Sequence, residues 1–275
     1  MTIDRRGFSL IEMVIVLVLA GLVSSAAISM FSTQNQLNAE MTALGESQEN
    51  ARSAVQVAAT ELRSVGGGSV IGASADRIVV RVPIVVGIIC GAQPGNRTSV
   101  YFPLNGRTLD LRRDADGKML LNPVIGWQQR NLSGGDGFHG IASRQACIDA
   151  GNGSAGGNGD YATLLGNDPV GTAVMLYRDV TYSFATSGLD PSRRAFYRTA
   201  LGEQIELAQG FSTATRFEFM LSNDGVWRTT VASNRRPDIS GIRLVAEVVA
   251  EGVSGSATGS ASFGLTREIQ LRNFE

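Results

Sequence analysis

Residue types that carry catalysis and metal binding are scarce in this chain. Its 275 residues include one histidine, His139, and two cysteines, and only 18% of them are charged. One histidine gives no convincing Ser-His-acid arrangement, and the sequence has no HExxH motif and no Walker sequence. The formal net charge of −1 comes without basic clusters, so the electrostatic footprint of a nucleic-acid-binding protein is missing. These absences argue against an enzyme, a metal site, a cofactor site or direct nucleic-acid binding.

The two cysteines, Cys90 and Cys147, form no CxxC motif. Disulfides form in oxidising compartments outside the cytoplasm. The pair is therefore a disulfide candidate if this part of the chain is exported. Two buried free thiols are the alternative, because sequence does not give the distance between the residues.

The longest apolar stretch lies near the N-terminus. Arg5 and Arg6 precede Gly7, and residues 8–31 are mostly apolar with a single ionisable residue, Glu12. As a helix this stretch spans about 36 Å, against a hydrocarbon core of about 30 Å. The basic flank predicts a cytoplasmic N-terminus, with the rest of the chain across the membrane. The stretch is too long for a secretory signal peptide. The Glu12 carboxylate within this stretch either has a function or lies one turn inside the membrane–water interface, where its side chain can reach water.

The run Gly7-Phe8-Ser9-Leu10-Ile11-Glu12, followed by the apolar segment, resembles the type IV pilin superfamily, which includes pilins, minor pilins and the pseudopilins of type II secretion. The resemblance implies that prepilin peptidase removes a leader, residues 1–7, by cutting between Gly7 and Phe8 on the cytoplasmic face. It also implies N-methylation of the new Phe8 amine. Glu12 is then the residue that pairs with the N-terminal amine of a neighbouring subunit.

A helical pattern continues beyond the apolar stretch. Apolar residues recur at alternating steps of four and three, with Gln48 in the one vacant position: Leu37, Met41, Leu44, Ala51, Val55, Ala58, Leu62 and Val65. This stripe is predicted to pack on the chain's own head, and its first half can also pack on other helices. Glycines 66–68 are predicted to end the helix. One helix over residues 8–65 is expected, with about 8–31 in the membrane.

Residues 66–275 predict a globular head rich in antiparallel β-strands. Short β-branched and aromatic runs alternate with turn signals, and Pro83 interrupts one of the first runs, where a bend or an edge is expected. Residues 131–168 are dominated by Gly, Ser, Asn and Asp, which predicts a surface excursion. No second helix is predicted among the strands that follow from residue 173. The expected fold class is α+β, with one long helix packed on a large β head.

Segments of the head resemble PilW-like minor pilins and the related J-type pseudopilins. They include Glu61-Leu62-Arg63-Ser64-Val65-Gly66, Phe217-Glu218-Phe219 and the closing Ile269-Gln270-Leu271-Arg272-Asn273. The closing Leu271-Arg272-Asn273 favours the pilus member over a J-type pseudopilin of type II secretion. The chain also has no proline before Pro83, whereas many major pilins carry one in the first helix.

The resemblance implies a minor pilin that primes filament growth or sits at the tip, and so supports adhesion, twitching motility or DNA uptake. The implied partners are prepilin peptidase, other minor pilins, the major pilin and the inner-membrane assembly platform. The implied location is a single pass through the inner membrane with a periplasmic head, and the cell-surface pilus after assembly. An adhesive binding module at the pilus tip, formed by the excursion and the strands around Trp127, is a further alternative.

Overall fold

The computed structural model describes residues 10–66, 68–103, 115–122, 126–131, 137–138, 141–150, 159–250 and 261–271. Its N-terminal element is a helix, α1, of 53 residues, Leu10–Leu62. The end of this helix packs on a large antiparallel β-sheet. This arrangement confirms the predicted α+β, type IV pilin-like fold.

The other elements of the described residues are strands, one further α-helix and a 3-10 segment. In chain order they are β1 (Val70–Ser74), β2 (Arg77–Gln93), β3 (Arg97–Pro103), β4 (Gly117–Asn122), β5 (Gly126–Asn131), β6 (Gly137–Phe138), α2 (Ile141–Asp149), β7 (Gly159–Leu165), β8 (Ala173–Thr186), β9 (Arg194–Ala200), β10 (Glu203–Phe211), β11 (Arg216–Leu221), β12 (Trp227–Arg228), the 3-10 segment (Ser233–Asp238), β13 (Ile239–Ala250) and β14 (Ala261–Gln270).

Helix α1 is held on the sheet by its second half. Its buried residues are mostly small, which lets the helix backbone approach the strands closely: Ala51, Ala54, Val55, Ala58, Ala59 and Leu62. Leu37 and Met41, from the first half of the predicted stripe, are exposed instead. The chain leaves the helix through a turn in which Gly68 has a φ of 81°, a conformation that favours glycine. The stripe therefore packs on the head only in its second half.

Two long strands, β2 and β8, run through the whole head. They have 17 and 14 residues and pair with each other from Arg77 opposite Ser183 to Ile88 opposite Ala173. Two separate hydrophobic cores lie along them. The first core, under α1, contains Tyr182, Phe196, Phe217 and Phe219 among others. The second core, at the far end, includes Ile89, Phe102, Leu164 and Leu176. We call α1, β1 and β9 to β14 the proximal lobe, and β3 to β7 with α2 the distal lobe.

Pro83 lies inside β2, which is a single strand. The pairing with β8 shifts register between Pro83 and Val85. On its other edge, β2 pairs with β1 up to Val80 and with β3 from Ile88. Pro83 therefore falls where no strand is paired to that edge among the described residues, which accommodates its missing N–H.

The described parts of the expected excursion over residues 131–168 contain regular structure, which the sequence pattern did not predict. Residues Ile141–Asp149 form α2. Strand β7 pairs with β3 along its whole length, from Gly159 opposite Pro103 to Leu165 opposite Arg97. The pattern of β7 was too short to stand out among glycines, but Ala162 and Leu164 are buried in the distal core. His139 and residues 132–136, 140 and 151–158 lie outside the described residues.

Candidate functional site

The candidate site is the exposed first half of α1. Its large apolar side chains from Leu10 to Met41 are 50–82% exposed. An apolar surface of this extent on a helix is covered in use by lipid or by other proteins. By length and composition the helix can cross a membrane, and none of its most apolar 18-residue window is buried within the subunit.

Glu12 is the one ionisable residue of α1 before Glu40. It lies in the first turn of the described helix, where the helix dipole favours a negative charge. Its residue is exposed, and the next charged residue along the chain is Glu40. Gly7 and Phe8, the predicted cleavage pair, lie outside the described residues, so the structure does not test their geometry relative to Glu12.

A second group of charged residues fixes the C-terminal end of α1 to the sheet. Glu61 accepts two hydrogen bonds from Arg198, Nη2 to Oε1 at 2.7 Å and Nε to Oε2 at 3.0 Å. The Tyr182 hydroxyl donates a third to Oε2 at 2.5 Å. The pKa of Tyr182 is raised mainly by burial and next by its hydrogen bond to Glu61. The pKa of Arg198 is raised mainly by its hydrogen bond to Glu61. We call Glu61, Tyr182 and Arg198 the helix clamp.

The disulfide candidates also come together. Cys90 of β2 and Cys147 of α2 are joined by a disulfide, with their Cα atoms 4.8 Å apart. Both are buried, and they pack with Tyr161 of β7. The disulfide therefore fastens α2 to the sheet of the distal lobe, far from α1 in the fold.

Comparison with known families gives one match. The prokaryotic N-terminal methylation motif matches residues 4–28. This motif indicates the type IV pilin and pseudopilin family. It supports processing by prepilin peptidase and anchoring in the membrane by α1. No curated relative and no solved structure matches the chain significantly.

In this pilin-like chain the motif and the clamp lie at opposite ends of one helix. The matched segment includes Gly7, Phe8 and Glu12, while Glu61 lies in the last turn of α1. The segment around Glu61 stands out in the sequence, but nothing local to it predicts Arg198 or Tyr182 as partners of Glu61. The one available signal was the position of Glu61 at the end of a helix that packs on a sheet, where a carboxylate needs a partner. Its partners lie 121 and 137 residues away in sequence.

Glu61→Ala is expected to lower the stability of the pilin-like head. The substitution leaves Arg198, whose side chain is only 18% exposed, without its carboxylate partner. Breaking a largely buried pair in this way costs about 3 kcal/mol. For a domain of this size we expect the thermal midpoint to fall by about 6–12 °C, measured by near-UV circular dichroism on the full chain in detergent micelles.

The matched control is Asp238→Ala, which removes a more exposed ion pair with Arg235 whose side chains are 40% and 45% exposed. Such surface pairs contribute about 0–1 kcal/mol. Equal, small shifts for the two variants would show that the clamp does not hold the helix.

The described acidic residues, those of the clamp included, do not meet the requirements of a metal site. Among the residues that the structure describes, no group of three or more His, Cys, Asp or Glu side chains is placed to hold a metal ion. Trp227 packs beside Gly241, and the guanidinium carbon of Arg243 lies 4.0 Å from its ring centroid. These contacts give Trp227 a packing role on the sheet. The side chain of Trp127 lies outside the described residues.

Proposed function

We propose that this protein is a PilW-like minor pilin that takes part in priming or tip assembly of a type IV pilus. The observation that carries the proposal is the division of α1 into two halves. One half is apolar, exposed and carries a single carboxylate, while the other is buried on the protein's own sheet. A subunit built in this way has an insertion and assembly surface that is separate from its head.

In the proposed pathway, prepilin peptidase cuts between Gly7 and Phe8 on the cytoplasmic face and Phe8 is N-methylated. The first half of α1 holds the subunit in the inner membrane with its head in the periplasm. It then packs against other minor pilins and the major pilin at the assembly platform. Arg5 and Arg6 support this orientation, and the Cys90–Cys147 disulfide is consistent with an oxidising compartment.

A minor role is supported by the size of the head. The distal lobe adds its own core and a disulfide beyond the part of the head that packs on α1. Repeating so large a head in every subunit would demand lateral space throughout a filament, whereas one copy at the tip has no such constraint. A structural role, without catalysis, follows from this assignment.

Processing is tested by the mass of the mature N-terminus. We expect it to begin with N-methylated Phe8, and we expect Gly7→Val to remain uncleaved because a side chain hinders close approach of the peptidase at the bond. Gly21→Ala is the matched control, since a Cβ at Gly21 meets nothing within 4 Å. Cleavage at another bond, or normal cleavage of Gly7→Val, would contradict the assignment.

Membership of the pilus is tested separately in cells that lack this protein. We expect few or no surface pili and no twitching, both restored by the natural chain and not by Gly7→Val. Normal piliation with defective protein secretion would instead identify a J-type pseudopilin.

A further inference from the structure

The proximal and distal lobes are joined by a narrow neck. Strand β4 pairs with β8 up to Tyr177, and β9 pairs with β8 from Val180. Between them, Arg178 and Asp179 of β8 have only β2 as a strand partner within the described part of the chain, opposite Val82 and Arg81. We call these four residues the neck.

Packing is also divided at the neck. Val82 packs against the proximal core, whereas Ile84 and Val85 pack against the distal core. The residue between them is Pro83, next to the register shift in the β2–β8 pairing. Apart from β2 and β8, no element of one lobe packs extensively on an element of the other among the described residues. Among the described residues, the two lobes are therefore connected by β2 and β8 alone, and β2 lacks a backbone N–H at Pro83, beside the neck.

An acidic cleft opens beside the neck. The β4–β5 and β9–β10 hairpins lie end to end along the same edge of β8, and the cleft between them is lined by Asp116, Asp179, Leu201, Gly202 and Glu203. Asp116 belongs to the distal lobe and Glu203 to the proximal lobe, so acidic residues line the cleft on both sides.

The contacts within the cleft are incomplete. Asp116 accepts a hydrogen bond of 2.8 Å from the backbone N–H of Asp179. The Nε of Arg81 lies 3.8 Å from Oδ1 of Asp179, and neither atom has a hydrogen-bond partner. Arg81 is thus held at a distance from the carboxylate opposite it.

We propose that the neck is a hinge about which the distal lobe moves as a unit relative to the lobe that carries α1, and that the three carboxylates hold the cleft open at neutral pH. Hinges lie where few contacts cross between well-packed bodies. Each lobe has its own core, and the distal lobe also has the disulfide, so bending is confined to the two strands. The inference does not depend on pilus membership, since it applies equally to a pilin and a pseudopilin.

Acid is expected to close the cleft. Burial raises the pKa of Asp179, Asp116 raises it further, and Arg81 opposes both. Asp179 therefore takes up a proton at a higher pH than an ordinary aspartate, and its repulsion with Asp116 falls as it does so. Tyr177, which also faces Asp179, has a raised pKa and stays neutral throughout. Protonation of Asp179 therefore removes repulsion within the cleft.

Double electron–electron resonance on the full chain in detergent micelles tests the hinge. Nitroxides are placed across the cleft at Arg130→Cys and Gln204→Cys, two exposed strand positions, in protein that retains its disulfide. We expect a broad or two-component distance distribution at pH 7.5 and a shift of at least twofold toward the shorter component at pH 5. The matched control pair, Thr186→Cys with Gln204→Cys, lies entirely on the proximal side of the neck, and its distance distribution should stay narrow and unchanged.

The variant Asp179→Asn tests the role of the carboxylate. At pH 7.5 it should reproduce the distribution that the unmodified cleft shows at pH 5. A cross-cleft distribution as narrow as the control at both pH values overturns the hinge. A broad distribution that neither pH nor Asp179→Asn alters overturns its control by the carboxylates.

Discussion

Glu12→Gln should remove this protein from filaments while leaving cleavage, membrane insertion and the fold of the head unchanged. In the proposed assembly, Glu12 pairs with the methylated amine of a neighbouring Phe8 in an environment without water. Glutamine has nearly the same shape but no charge, so the neighbour's cationic amine is left unpaired. Breaking one partner of a buried ion pair costs about 3–5 kcal/mol, which corresponds to a loss of incorporation on the order of a hundredfold or more.

The measurement is the amount of this protein in sheared, purified filaments relative to the amount in the membrane fraction. Glu46→Gln is the matched control, because Glu46 is also exposed on α1 but lies beyond the apolar half. It should be incorporated normally. If Glu12→Gln is incorporated into filaments to the same extent as Glu46→Gln, Glu12 does not pair with a neighbouring amine. Its carboxylate then reaches water at the membrane–water interface instead.

The N-terminal helix could be predicted from sequence because its signal is local. A basic flank, a long apolar run and a four–three stripe all lie within one continuous stretch, and the structure confirms a helix over Leu10–Leu62. The order of most strands was equally accessible, since β-branched runs and turn residues alternate along residues 173–250. The strand boundaries were harder to predict, because the β-branched runs on either side of Pro83 belong to one long strand, as do those on either side of Arg178.

The distal lobe was hidden because its stabilisation is not local. Strand β7 has a weak pattern of its own and is defined by its pairing with β3, more than fifty residues earlier in the chain. Helix α2 has nine residues, too short to be stable alone in water. It is held by the bond from Cys147 to Cys90. A window of glycine, serine and asparagine could not reveal either constraint.

The helix clamp and the neck could not be predicted from sequence either, because both depend on contacts between residues that are far apart in the chain. Glu61, Tyr182 and Arg198 are ordinary residues until the fold brings a helix end over β8 and β9. The neck depends on where β4 ends and β9 begins along one edge of β8. Neither position leaves a motif in the sequence.

Replacing both Cys90 and Cys147 with alanine should loosen the distal lobe selectively. The disulfide closes a loop with a sequence separation of 57 residues, for which the chain-entropy model gives about 4 kcal/mol of stabilisation. This loss falls on a lobe that connects to the rest of the head through β2 and β8. The proximal core, with its clamp and its cluster of phenylalanines, contains neither cysteine.

Hydrogen exchange of the full chain in detergent micelles locates the effect. Amides in β3, α2 and β7 should exchange on the order of a hundredfold faster in the double variant, because 4 kcal/mol exceeds two factors of ten in an opening equilibrium. Amides in β11 and β13 of the proximal lobe are the internal control and should keep their protection. Equal loss of protection in both lobes would show that the head unfolds as one unit despite its two cores. Unchanged exchange in the distal lobe would show that the pairing of β7 with β3 stabilises this lobe without the disulfide. Selective loss would establish the two lobes as independent folding units, which is the property that a hinge at the neck requires.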